Sequence, residues 1–345
     1  MDPDSRRVAA VSDRASAANE RGEEVGQELF RHQIETSTEP LEDAGELTDA
    51  LCAGRRAVAE AAAAAGARAV AVATPPLGPR TEEYTRKPRY LRFEDEFGQI
   101  AREAHVCAMH VHVGIADEDE GVRAIDGIRP WLPFLLALSA NSPYWRGRDS
   151  GHASWRSQVW GRWASAGPRE PFGDAATYHR VAEQTMAWGG AIDPAMLYFD
   201  ARLSESFPTV EVRVADVCLE IDDAVLVAVL ARGLVASCAE QPAESWRGDL
   251  LRVSTWRAAR YGLGADLVHP VTGALASPRE VFDSLVEATG DHLDQAGDRE
   301  RARELFERVL ARGTGAVRQR RRFEETGDLV AVVDDLADAT EASWS

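Results

Sequence analysis

Cys107-Ala-Met-His-Val-His-Val-Gly114 is a run of small and β-branched residues around two histidines, and it reads as a buried strand. Strand side chains alternate between faces, so His110 and His112 project from one side into a common space. Gly114 leaves the strand end open to close approach. Paired imidazoles in that arrangement suit a divalent metal or a phosphate-handling site, and a pair of hydrogen-bonded core histidines has the same spacing.

Upstream, a helix fits about residues 90–104 and leads into the histidine strand. Before it, Arg68–Thr74 reads as a short apolar strand stopped by Pro75-Pro76, and residues 42–66 carry an Ala-rich helical pattern ending at Gly66. Leu29–Thr36 reads as a further strand, with Gln33 and Glu35 on one face. Downstream, Asp117 caps a helix whose stripe is Val122, Ile125, Ile128 and Trp131, interrupted by Pro130 and Pro133. Residues 139–173 show no periodicity, yet their aromatics (Tyr144, Trp145, Trp155, Trp160, Trp163) argue for an ordered, functional loop. Asp174 starts another helix. Met196–Leu203 and Thr209–Ala215 then form a hairpin, and residues 221–240 a very apolar helix. The rest is helical and charged, with no internal repeat and no linker, so a single domain over 1–345 is expected.

A net charge of −18 argues against a general nucleic-acid or anionic-membrane binder, since polyanions need a positive surface. The four cysteines show no CxxC pair, so neither a zinc ribbon nor a disulfide framework is indicated. No apolar run approaches membrane-spanning length, and a soluble cytoplasmic protein is the default expectation. P-loop, GxSxG and GxGxxG motifs are absent.

Three strand-like segments place polar side chains opposite apolar ones: Gln33/Glu35, His110/His112 and Glu211/Arg213. Each alone reads as a solvated strand face. Set side by side in one sheet, they form a polar surface whose glutamates and histidine suit Mg²⁺ and whose arginine suits a phosphate or carboxylate. Arg252, Arg257 and Arg260 make a second basic cluster, either an anion contact or a salt-bridged surface.

These stretches resemble the type 2 glutamate–cysteine ligase family, also called carboxylate–amine ligases. The matching runs are Glu28–Glu35, Met109–Gly114, Arg129–Pro143, Ser154–Trp163, Pro208–Asp216 and Trp256–Gly262, in the family's order. Residues 25–330 carry the match; residues 1–24 are poorly defined by it. The resemblance implies an α+β fold related to glutamine synthetase, a curved and mainly antiparallel sheet with helices packed on its outer side. It implies a ligase using ATP and Mg²⁺, in which the γ-carboxylate of glutamate becomes an acyl phosphate captured by an amine such as cysteine. The homodimer is the assembly it suggests. By motif, Glu35, His110 and Glu211 are the metal ligands and His112 lies near nucleotide or metal. Arg213, with Arg257 or Arg260, faces phosphates or the acyl phosphate, with Arg213 and Arg260 also read as nucleotide contacts. Asn141, Ser142, Arg156 and Trp160 lie in the substrate-facing loop.

One departure changes the expectation. Family members begin with a strand close to Val-Gly-Val-Glu-Glu-Glu, whose glutamates are metal ligands, whereas Met1–Arg7 resembles the segment after it. Either translation starts upstream, or the metal site is short of that wall and the chain is an impaired or non-catalytic relative that binds nucleotide or a partner. Glu23 and Glu24 precede the next matching run directly and do not replace it.

Overall fold

A computed structural model describes residues 1–17, 25–79, 83–240 and 246–344. Glu23 and Glu24 lie outside them.

A three-stranded antiparallel sheet carries His112, and His110 lies just before its histidine strand. Its central strand is Thr209–Val212, flanked by Val111–Gly114 and Ala201–Leu203. The expected hairpin therefore forms, with shorter strands than the apolar runs suggested. Its register aligns three residues across the sheet: His112 opposite Glu211, and Glu211 opposite Arg202. The alternate residues, Val111, Val113, Val210, Val212, Ala201 and Leu203, lie on the opposite face, backed by the helices Glu118–Ile128 and Ile221–Ala239. The histidine strand is half-buried rather than buried, because its polar face is open. Three two-stranded antiparallel pairs accompany this sheet among the described residues. The architecture is α+β, with helices behind the sheet, as expected.

Ile221–Ala239 is apolar over most of its surface because it is covered on most sides. It packs against Ala44–Ala64, Glu118–Ile128, Leu132–Ser139 and Arg299–Arg312. Val225, Leu226, Val227, Leu230 and Leu234 are buried, each stabilising the fold by roughly 1.5–3 kcal/mol. Gly121, on Glu118–Ile128, marks the tightest approach to the sheet. A Cβ there would meet Leu203 Cδ2 at 2.5 Å and Ile115 Cδ1 at 2.6 Å.

Local chemistry explains both the matches and the departures. Asp43 caps Ala44–Ala64 by accepting from the Gly45 and Glu46 amides, and Asp117 caps Glu118–Ile128 through Glu120. Val122, Ile125, Ile128 and Trp131 are all buried, and Leu132–Ser139 restarts after Pro130. The helix expected over 90–104 is broken at Gly98, whose φ is +52°, into Pro88–Phe97 and Gln99–Arg102. Arg68–Thr74 does not join a strand ladder. Its Ala71 amide donates to Thr340 Oγ1 of a C-terminal helix, and the Ala73 carbonyl accepts from Cys107. Only Ile34–Glu35 of Leu29–Thr36 is a strand, paired with Gly26–Gln27. A turn at Phe30–Gln33, whose glutamine Oε1 accepts from the Phe30 amide, bends the rest. The aperiodic stretch 139–173 contains the hairpin Tyr144–Trp145/Arg148–Asp149 and the helix Trp155–Trp160, both too short to show a period.

Candidate functional site

Successive polar positions on the three strands converge on one carboxylate. Glu211 is 3% exposed, and its Oε2 accepts a hydrogen bond from Arg202 Nε at 2.6 Å. Its Oε1 accepts from Arg213 Nη1. His110 Nδ1 lies 3.2 Å from that oxygen and His112 Nε2 3.8 Å away. His112 is fixed from its other nitrogen by Thr209 Oγ1 at 2.9 Å. Arg202 is anchored in turn, its Nη1 donating to the carbonyls of Pro194 and Ala195, each at 2.9 Å.

The charges tune one another. Burial alone would raise the Glu211 carboxyl, but Arg213 and Arg202 outweigh it and hold the group below the usual range. Burial, reinforced by Arg213, Arg156, Arg202 and His112, keeps His110 well below an ordinary imidazole. Burial lowers His112 too, against the pull of Glu211. Both rings are therefore neutral at pH 7, and the row carries two guanidinium charges against one carboxylate. Burial lowers Arg213 to about 10, still charged at neutral pH. Its side chain is 6% exposed, and its Nε has no hydrogen-bond partner among the described residues. Beside it stands an aromatic shelf: Tyr198 lies 5.9 Å from the Arg213 guanidinium and 4.3 Å from the Trp160 ring.

Glu35 enters from the Gly26–Gln27/Ile34–Glu35 hairpin and is paired with Glu28. Burial, then the charge and hydrogen bond of Glu28, raise Glu35 to about 8, with Glu211 adding and Arg213 opposing. Among the described residues no three His, Cys, Asp or Glu side chains converge to hold a metal ion. The expected trio is thus divided: His110 and Glu211 meet, Glu211 is clasped by two arginines, and Glu35 pairs with Glu28. The Glu28–Glu35 donor set still fits Mg²⁺, which commonly takes one or two carboxylates and completes its shell with phosphates and water. A Glu35 carboxyl that holds its proton beside a second acid is also a place where a cation replaces that proton.

Arg202 and Glu28 were not singled out by the sequence. Arg202 interrupts an apolar run, and the Ala201–Arg202–Leu203 alternation was its signal. Glu28 lies at the very start of a matching stretch, where nothing in the spacing separates it from solvent-facing acids.

Asn141, Ser142 and Arg156 are 1%, 0% and 2% exposed. The Asn141 amide nitrogen Nδ2 donates to the Ala71 and Val217 carbonyls at 3.0 and 2.9 Å. Ser142 Oγ donates to Asp216 at 2.7 Å, and Arg156 donates to the Arg213 and Val214 carbonyls. The expectation of a substrate-facing loop gives way here to an interior support, because burial turns these groups toward the protein. Trp160 alone of the four is half-buried, beside Tyr198. Arg257 and Arg260 lie on a separate helix, Gly248–Tyr261. Arg257 Nε donates to the Asp266 carbonyl at 2.6 Å. Arg260 lies against Gly151 and stacks on Tyr261 with its guanidinium 5.3 Å from the ring centre.

A family model for glutamate–cysteine ligase family 2 (GCS2) matches residues 3–335. The chain is 49% identical over 336 residues to "Putative glutamate--cysteine ligase 2-1" of Nocardioides sp., covering 96% of this chain and 87% of that one. It is 43% identical over 355 residues to "Putative glutamate--cysteine ligase 2-2" of Frankia alni, at 97% and 92% coverage. The crystal structure of a glutamate–cysteine ligase from Francisella tularensis in complex with AMP superposes with a TM-score of 0.56 at 11% identity. That match covers 98% of this chain and 89% of the other and speaks for the fold. No helix among the described residues is long and apolar enough to cross a membrane.

Proposed function

The chain belongs to glutamate–cysteine ligase family 2, and from that premise we propose that it is an ATP-dependent carboxylate–amine ligase. Its proposed substrates are glutamate and an amine such as cysteine. The glutamate γ-carboxylate attacks the γ-phosphorus of ATP, ADP leaves, and the amine displaces phosphate from the acyl phosphate to form the amide. The residues at 1–345 are read as one catalytic unit, acting in the cytoplasm.

One observation carries this reading: Arg213 is buried, charged and has an Nε unpartnered among the described residues, beside a clasped carboxylate and two neutral imidazoles. Leaving a buried guanidinium donor without an acceptor is costly, and an anion removes the cost. Arg213 accordingly binds the transferring phosphoryl group, where charge stabilisation has its largest effect. Glu211 fixes the direction of that guanidinium and keeps the local charge from excess. His112 faces the nucleotide. Tyr198 and Trp160 exclude water on one side. Arg260, with no ion pair or hydrogen bond among the described residues, is the second arginine available to phosphates, and Arg257 the weaker one. Mg²⁺, when bound, neutralises phosphate charge, and the Glu35–Glu28 pair would hold it.

The test is ADP release from Mg·ATP by the purified protein. It is expected to require both glutamate and an amine, and to disappear in Glu211→Gln and in His110→Ala. ADP release indifferent to the amino acids, or nucleotide binding without turnover for every pair tried, defeats the ligase reading.

A further inference from the structure

Behind Arg213 lies a buried polar junction that touches no open surface. Asp216 is 0% exposed. Its Oδ2 accepts from the Asn141 backbone N–H at 2.9 Å and from Ser142 Oγ at 2.7 Å, and its Oδ1 accepts from Ser154 Oγ at 2.8 Å. Arg156 Nη1 lies 3.9 Å from Oδ1, close enough for an ion pair between two interior groups. The Arg156 amide donates to Ser142 Oγ at 3.0 Å, so one hydroxyl ties the arginine's backbone to the aspartate. Arg156 then reaches forward: Nη2 donates to the Arg213 carbonyl at 3.0 Å and Nη1 to the Val214 carbonyl at 3.1 Å. Asp216 also bridges Ala108, and the Met109 amide donates to the Ala215 carbonyl at 3.1 Å. The junction therefore grips both strands just where His110 and Arg213 leave them.

We infer that Asp216 and Arg156 are positioning residues, acting through the Arg213 and Val214 carbonyls to fix the Arg213 guanidinium against Glu211. The role rests on the reading of Arg213 as the phosphoryl contact. Two features argue for aim rather than packing. A guanidinium fork holding successive carbonyls fixes the direction of a strand, as an apolar side chain of equal volume does not. Moreover, Arg156 is itself held at both ends, by Asp216 and by Ser142, so its own freedom is removed.

The decisive variant is Arg156→Lys, which keeps the charge and loses the fork. Misplacement of a charged group by a fraction of an ångström lowers kcat, and about a tenfold to hundredfold fall is expected with little change in KM. In an Arg213→Lys background, the same substitution should cost less than about twofold more, since the group it aims has gone. The Arg213 Nε–Hε signal of ¹⁵N-labelled protein, assigned by its loss in Arg213→Lys, should shift or broaden in Arg156→Lys at unchanged far-UV signal. If Arg156→Lys does not fold, Ser142→Ala with Ser154→Ala loosens the same junction more gently and takes its place. An unmoved Arg213 signal, or losses that multiply independently in the double variant, overturns the inference. If the wild type forms no ADP, the ligase reading falls, and the Arg213 signal alone decides the positioning role.

Discussion

Arg202 Nε donates to Glu211 Oε2 across adjacent strands at 2.6 Å, on a register that sets the two residues directly opposite. Arg213 takes the other oxygen of the same carboxylate. Breaking a buried ion pair from one side leaves charge without compensation, which costs more than the pair contributes when whole. Glu211→Gln should therefore lower unfolding stability by about 3 kcal/mol as well as abolish turnover. Denaturant titration followed by tryptophan fluorescence measures it. A midpoint equal to the wild type means the arginines are solvated and the cluster is not interior.

The Glu35 carboxyl makes stability fall as pH rises. The folded Glu35 carboxyl is raised to about 8 from an ordinary 4.5, first by burial and then by Glu28. The folded state thus holds a proton that the unfolded state releases. Its stabilising contribution is whole below pH 4.5 and is lost progressively up to about pH 8. The difference in melting temperature between wild type and Glu35→Gln should shift in favour of the variant over that window. Mg²⁺ should raise the wild-type melting temperature most at the alkaline end and release protons on binding. A difference constant with pH disposes of the raised Glu35 carboxyl.

Gly121 keeps the Arg202 strand in place by its lack of a side chain. Gly121→Ala brings a methyl against Leu203 Cδ2 and Ile115 Cδ1 and should cost about 1–3 kcal/mol. Adding Leu203→Ala makes room, so the double variant should be less destabilised than the sum of the singles. Calorimetric melting of the four proteins gives the answer, and strict additivity shows that the two positions do not press on each other.

Ser277 supplies a control far from the chemistry. It accepts from the Glu280 amide while Glu280 reaches back to the Ser277 amide, a closed capping box on the helix Pro278–Ala288. Ser277→Ala should lose about 1 kcal/mol of stability with kcat unchanged. A fall in kcat would mean that the C-terminal helices couple to the site more closely than their packing suggests.

Much of this molecule is legible in residue order alone because its signals are local. Alternation placed Glu211 opposite its valines and His110 beside His112, and Asp117 and Asp174 announce their helices through side-chain caps. The unread parts depend on pairing at a distance. Arg202 acquires its meaning from a register, Glu28 from a hairpin of two-residue strands, and Arg156 from a carbonyl pair 57 and 58 positions away. The same distance misled the reading of Asn141 and Ser142. Polar residues in an aperiodic, aromatic-rich stretch suggest a surface loop, but here the Ser142 hydroxyl satisfies a buried aspartate and the Asn141 side chain two main-chain carbonyls.

The surplus positive charge of the Arg202–Glu211–Arg213 row sits inside a chain whose net charge is −18. An anionic substrate approaching from afar meets repulsion first and attraction only at contact. At about 0.1 M salt the far field is screened beyond roughly 10 Å, whereas a buried pair is screened little. Added salt should accordingly quicken encounter before it weakens capture, the reverse of proteins that steer their ligands in by long-range attraction.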